Sequence, residues 1–226
     1  MGGAAGTGQR GAGKQPAPRV LMLVNRFPAL SSSFLVHKFL GLLDRGWDVH
    51  VVGKRAEVSD PESFPQLAAR PDAAARIHAV AGLAKAMRRY HPSLVHAEFA
   101  TLAQSGETLD ALGETPIVVS FRGHDAVFAG LSDPAYYDLL WQRANAFHFV
   151  SGDVRRHALS RGCPEATPFA VIPSGVDTAY FDPGARRHRA VAGSPRRPLR
   201  VLTVARIHWQ KGYEYALQAV RRVSDA

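Results

Sequence analysis

From Arg19 onward, apolar runs and amphipathic stretches alternate along the chain. Arg19 to Val24 reads as a buried strand, and Asn25 to Ser32 as a loop containing Pro28. Ser33 to Arg45 then places Phe34, Leu35, Phe39, Leu42 and Leu43 at helical spacing, and Gly46 ends that helix. The same reading predicts strands over 47–52, 94–97, 116–120, 147–150 and 169–172. It predicts helices over 73–89, 101–112, 134–144 and 152–160. Alternating strands and helices build a parallel sheet wound on both faces, so residues 19–172 are expected to form one Rossmann-like α/β domain. Residues 173–198 carry four prolines and read as an interdomain linker. Beyond it, a strand over 199–204 and a helix over 213–223 begin a second α/β domain, in which the sequence stops. Such a unit has too few neighbours for its strand, so the 226-residue chain is expected to be catalytically inactive by itself.

Residues 1–18 lack apolar periodicity and read as a disordered tail. The tail contains Gly6-Thr7-Gly8-Gln9-Arg10-Gly11, a G-x-G-x-x-G match, and a near P-loop ending at Lys14 with Gln15 where Ser or Thr belongs. Both motifs need a preceding strand, and here the first strand follows them, so we read them as composition.

Composition narrows the classes. Hydrophobic residues make up 46 % and charged residues 21 %, which is globular. With Cys163 alone, neither an intrachain disulfide nor a cysteine zinc cluster can form. No apolar run approaches the length of a membrane span, so a cytoplasmic setting is expected. The net charge is +9, and residues 184–213 hold eight basic residues and no acid. A basic surplus concentrated in one stretch, rather than spread over the chain, argues against general nucleic-acid binding. It is either a solvated linker or a contact for anionic lipid at the membrane inner face. The predicted helix over 73–89 reads as a core-facing stripe with its cations at the C-terminal end, a surface membrane helix being the alternative.

In a doubly wound sheet the ligand crevice lies past the carboxyl ends of the strands where their order reverses, between the first and fourth in the usual order. Counted along the predicted strands, the exits there are residues 25–33 and 121–125. Ser31, Ser32 and Ser33 open a helix, where they either cap it or help its free N–H groups face an anionic or hydroxylated substrate. Arg122, His124 and Asp125 form a dense polar set after an apolar strand and are the candidate catalytic group. Ser174 lacks the first glycine of a nucleophile elbow, and the histidines show no metal-ligand spacing, so no metal site is expected.

Four stretches, in order, carry a likeness to a known family. They are Phe27-Pro28-Ala29-Leu30-Ser31 leading to Leu43–Val49, Val119–Asp125, Val171–Asp177, and Val204–Ile207 followed by Lys211-Gly212. With these the chain resembles the retaining glycosyltransferases of family 4, which have the two-domain GT-B fold. The resemblance implies an acceptor-side domain over 19–172 and the start of a donor domain. It implies transfer of a sugar from a nucleotide-sugar donor to a glycan or lipid-linked acceptor hydroxyl, without cofactor or metal. The nucleotide sugar is then a substrate. Arg206 and Lys211 would hold the donor diphosphate, and Phe27 and Ser31 to Ser33 would border the acceptor. Where many members have His-Gly, this chain has Arg122-Gly123, with His124 at the usual aromatic position; either Arg122 or His124 takes the family histidine's place. The alternatives are a GT-B sugar-nucleotide epimerase, or a basic non-enzymatic module binding nucleic acid or anionic lipid.

Overall fold

The first strand, β1 (Arg19–Phe27), is buried on both faces over Val20 to Met22, as a central parallel strand must be. Helix α1 (Ser33–Asp44) follows and packs Leu35, Val36 and Phe39 onto one face of β1. It ends as its sequence predicts. Gly46 takes φ +80°, its N–H bonds Leu43 O at 2.9 Å, and Trp47 N–H bonds Leu42 O at 3.1 Å, a Schellman closure. The chain continues into β2 (Asp48–Ala56), then two single-turn helices, α2 (Pro65–Ala68) and α3 (Pro71–Ala74), and the short strand β3 (Ile77–Ala79). Next come α4 (Leu83–Tyr90), β4 (Leu94–Ala97), α5 (Gly106–Asp110) and β5 (Ile117–Phe121). The first unit closes with α6 (His124–Val127), α7 (Asp138–Arg143), β6 (Ala146–Phe149), α8 (Gly152–Leu159) and β7 (Phe169–Val171). This computed structural model describes residues 17–56, 63–80, 82–176, 178, 182, 184 and 198–224. The expected tail motifs and Arg186, Arg187, Arg189, Arg196 and Arg197 of the linker lie outside the described residues.

Among the described residues seven strands form one parallel sheet, in the order β3-β2-β1-β4-β5-β6-β7. That is the doubly wound Rossmann-like order with one added edge strand, and it agrees with the expected fold class. Two apolar clusters cover the sheet. Val20, Met22, Val24, Val49 and Val51 meet α1 on one face, while Leu21, Val95, Val119, Phe121 and Phe147 meet the later helices on the other.

The helix expected over 73–89 does not form. Pro71 starts a single turn, Ile77 joins the core as part of β3, and Gly82 at φ +116° redirects the chain into α4. Helical periodicity misled because Ile77 and Val80 are spaced to suit either element, and tertiary pairing with β2 decided between them. In α4, Ala86 and Tyr90 are buried, while Lys85, Arg88 and Arg89 are exposed. The expected helix over 101–112 is a 3₁₀ turn at Ala100–Leu102 followed by α5, whose cap Ser105 accepts from Thr108 N–H at 3.3 Å.

The chain divides into two units, Met1–Tyr180 and Phe181–Ala226. In the second, α9 (Tyr213–Ser224) forms where the pattern predicts it, and Tyr213 Oη donates to Ala205 O at 2.8 Å. Residues 199–204, expected as a strand, are exposed and pair with no strand among the described residues. A parallel strand exists only against a neighbour that satisfies its backbone.

Candidate active site

Strand order reverses between β1 and β4, so the crevice exits are residues 28–32 and Glu98. The sequence count had used 121–125 for the second exit. The unforeseen β3 displaced that count by one strand, and Phe121–Asp125 lies one strand further along.

Glu98, not singled out from the sequence, is the centre of what the structure assembles there. It is fully buried, and its backbone N–H extends the ladder to Leu23 O at 3.0 Å. Lys38 from α1 donates to Glu98 Oε1 at 2.5 Å, and Arg122, just past β5, donates to Oε2 at 2.7 Å. Arg122 Nε also donates to the Glu98 backbone carbonyl at 2.8 Å. The guanidinium carbon lies 4.4 Å from the Phe34 ring centroid and 5.7 Å from that of Phe99. Burial alone would push the Glu98 carboxyl up, but the Lys38 and Arg122 cations bonded to it outweigh that and hold it below the usual carboxylate value. Burial pulls Lys38 down from its ordinary value, against the opposing pull of Glu98.

A hydrogen-bond chain runs from this cluster along one face of the sheet. Lys38 Nζ lies 3.1 Å from His96 Nδ1, His96 Nε2 lies 2.8 Å from Ser120 Oγ, and Ser120 Oγ lies 2.8 Å from His148 Nδ1. His148 Nε2 ends the chain, 2.9 Å from Ile172 O. Burial is the first cause that lowers both imidazoles, His96 to about 4, so both are neutral near pH 7. The direction of every bond then follows. A carbonyl only accepts, so His148 carries its proton on Nε2, and its Nδ1 accepts from Ser120. The Ser120 oxygen accepts from His96 Nε2–H, leaving His96 Nδ1 to accept from the Lys38 ammonium.

These polar groups share a face because the register pairs Met22 with His96, His96 with Val118, and Ser120 with His148. Helix α1 covers this face over β1 and β2. Beyond its edge the same face opens into a cavity of about 580 Å³, lined by Phe34, Lys38, Arg122, His148, Phe169 and Ile172 among others.

The expected site residues separate. Arg122 belongs to the cluster. Asp125 is buried as a clamp between strand exits: its carboxylate accepts from Arg122 N–H at 2.6 Å and Ala100 N–H at 3.2 Å, and burial raises its pKa against those bonds. Its carbonyl accepts from Tyr137 Oη at 2.8 Å. His124 is exposed at the start of α6, beside Phe128. Phe27, expected to border the acceptor, is instead a core residue whose ring packs edge-on against Phe39 at 5.8 Å. Ser31 and Ser33 are exposed, and Ser32, at the N-cap of α1, makes no side-chain cap bond. In the second unit, Arg206 and Lys211 are both exposed. Cys163 is buried in the core, where burial pushes its thiol up to about 11. The described residues hold no cluster of histidine, cysteine and acidic side chains suited to a metal ion. Among them no helix is long and apolar enough to cross a membrane.

A parallel, doubly wound sheet in this strand order is an α/β domain of the Rossmann type, and the charged cluster lies at its strand reversal. The family model described as Glycosyltransferase Family 4 matches residues 35–180, so the chain belongs to that family. No curated protein matches it in sequence. Among the solved structures similar to this chain, UDP-N-acetylglucosamine 2-epimerase from Rickettsia bellii shares 11 % identity over 68 % of this chain and 44 % of its own, with a TM-score of 0.41. HepE of Anabaena, in complex with UDP and glucose, shares 16 % over 73 % of this chain and 46 % of its own, with a TM-score of 0.42. UGT73P12 of Glycyrrhiza uralensis, complexed with glycyrrhetinic acid 3-O-monoglucuronide, shares 10 % over 75 % of this chain and 51 % of its own, with a TM-score of 0.39. The chain thus spans about half the length of these structures.

Proposed function

We propose that residues 19–172 form the acceptor-side domain of a glycosyltransferase that moves a sugar from a nucleotide-sugar donor to an acceptor hydroxyl with retention. The observation that carries this reading is the family match over 35–180, the stretch that holds Lys38, Glu98 and Arg122. In the reaction, negative charge develops on the departing diphosphate. Fixed cations stabilise such charge without a metal. The proposal assigns that role to Arg206 and Lys211, which stand exposed before and beside the turn into α9. The acceptor is a glycan or a lipid-linked acceptor, and the setting is cytoplasmic, at the membrane inner face where the acceptor is lipid-linked.

Product analysis tests the reading. The intact protein is incubated with a panel of nucleotide sugars and acceptors, and products are resolved by mass spectrometry and NMR. A glycoside with the donor's anomeric configuration is the expected result. A free, isomerised nucleotide sugar would assign the epimerase reaction instead.

A further inference from the structure

The cavity beyond α1 is two-sided in its chemistry. Its charged corner holds Lys38 and Arg122, and among the described residues no acidic side chain lines it. Glu98 lies behind them, fully buried, and neutralises one of the two cations. The Asp125 carboxylate is tied to the backbone N–H groups of Arg122 and Ala100 and is not part of the lining. His96 and His148 are fixed as neutral links by the hydrogen-bond chain, so the corner presents a positive charge that the cavity does not balance.

Donors remain there as well. Of three Lys38 N–H groups, Glu98 and His96 occupy two. Of five Arg122 N–H groups, two are bonded to Glu98 and the rest have no acceptor among the described residues. The Arg122 side chain is only 9 % exposed and the Lys38 side chain 27 %, and both line the cavity. The remaining wall is mostly apolar, with Val118, Phe169, Ile172 and Pro173 beside the single hydroxyl of Ser174. Phe169 and Ile172 are open to solvent.

We propose that this cavity binds the acceptor, and that the acceptor is an anionic amphiphile. Its phosphate or carboxylate headgroup rests on Lys38 and Arg122, and its apolar portion lies along Val118, Phe169 and Ile172. A neutral glycan would leave the surplus cation unmatched, and a free inorganic anion would leave the apolar wall wet. The proposal names the substrate class for the acceptor site proposed above and rests on that reading.

Calorimetric titration of the protein with octyl phosphate, octyl glucoside and inorganic phosphate, each below any micelle-forming concentration, tests it. Octyl phosphate is expected to bind at least about tenfold more tightly than either control, the worth of one charge-assisted hydrogen bond. Lys38→Met should remove that preference. Because Lys38 also serves the buried cluster, Ile172→Asp provides a second test at an exposed position: it places a like charge on the wall and should abolish octyl phosphate binding in a folded protein. Equal binding of octyl phosphate and octyl glucoside would overturn the anionic assignment. Equal binding of octyl phosphate and inorganic phosphate would overturn the amphiphile, and so would the absence of binding by all three. Because no sugar is transferred in this experiment, its failure is distinct from a failure of the transferase reading, which product analysis decides.

Discussion

Arg122 reaches Glu98 twice, through Nη2 to the carboxylate at 2.7 Å and through Nε to the backbone carbonyl at 2.8 Å. The two residues follow neighbouring strands, β4 and β5, at their carboxyl ends. The pair therefore locks the two exits together at the crevice, with Lys38 of α1 closing the third side.

Replacing Glu98 by Gln leaves two cations crowded around a neutral amide. Breaking a buried pair in this way costs about 3–5 kcal/mol, because the unmatched charge stays desolvated. Urea unfolding of E98Q should show that loss. A Lys38→Met, Glu98→Gln double variant should lose less than the sum of the single changes. Additive losses would mean the two side chains are not coupled.

The bond directions around Ser120 predict tautomers. Long-range ¹H–¹⁵N spectra should show His96 and His148 protonated on Nε2 at neutral pH. Burial lowers His96 from 6.5 to about 4. Between those values the unfolded chain binds a proton that the folded one refuses, so stability must fall as pH drops through that window. His50, also lowered to about 4 with burial as the first cause, adds to the same slope. A His96 resonance titrating near 6.5, or an Nδ1–H tautomer at His148, would contradict the chain.

Gly53 sits in β2 where a Cβ would lie 2.5 Å from the carbonyl oxygen of Val24 and 2.9 Å from its Cγ2. The neighbour is backbone of the central strand and cannot swing away. Gly53→Ala should therefore destabilise the first unit by about 1–3 kcal/mol through overpacking. A thermal melt unchanged from the parent would show that β1 and β2 separate more readily than their pairing indicates.

Arg206→Ala and Lys211→Ala test the donor assignment. In the intact protein each should reduce nucleotide-sugar turnover by an amount equivalent to about 2–4 kcal/mol, the scale for losing a charge-stabilising donor. Their exposure means that stability should hardly change. Unimpaired turnover in both variants would remove these cations from the reaction.

Local patterns carried much of the fold. Apolar runs marked six of the seven parallel strands, Leu94–Ala97 to the residue, and Gly46 marked the end of α1. Those features depend on neighbours a few residues away, which a sequence displays directly. The strand at Ile77–Ala79 did not show, because a three-residue edge strand has no period of its own and forms only against β2.

The candidate site divides along the same line. Arg122 stood out because it follows an apolar strand beside His124 and Asp125, yet the three side chains have separate surroundings: a buried ion pair, solvent and a backbone clamp. Glu98 gave no local signal. It becomes the centre of the site because sheet register sets β4 beside both β1 and β5, bringing it to Lys38, sixty positions earlier, and Arg122, twenty-four later. By itself the sequence marked six of the strands that build the doubly wound sheet, through their apolar runs between amphipathic helices. Only the tertiary structure decided which charges meet, since a carboxylate's partners are chosen by packing across the sheet and not by distance along the chain.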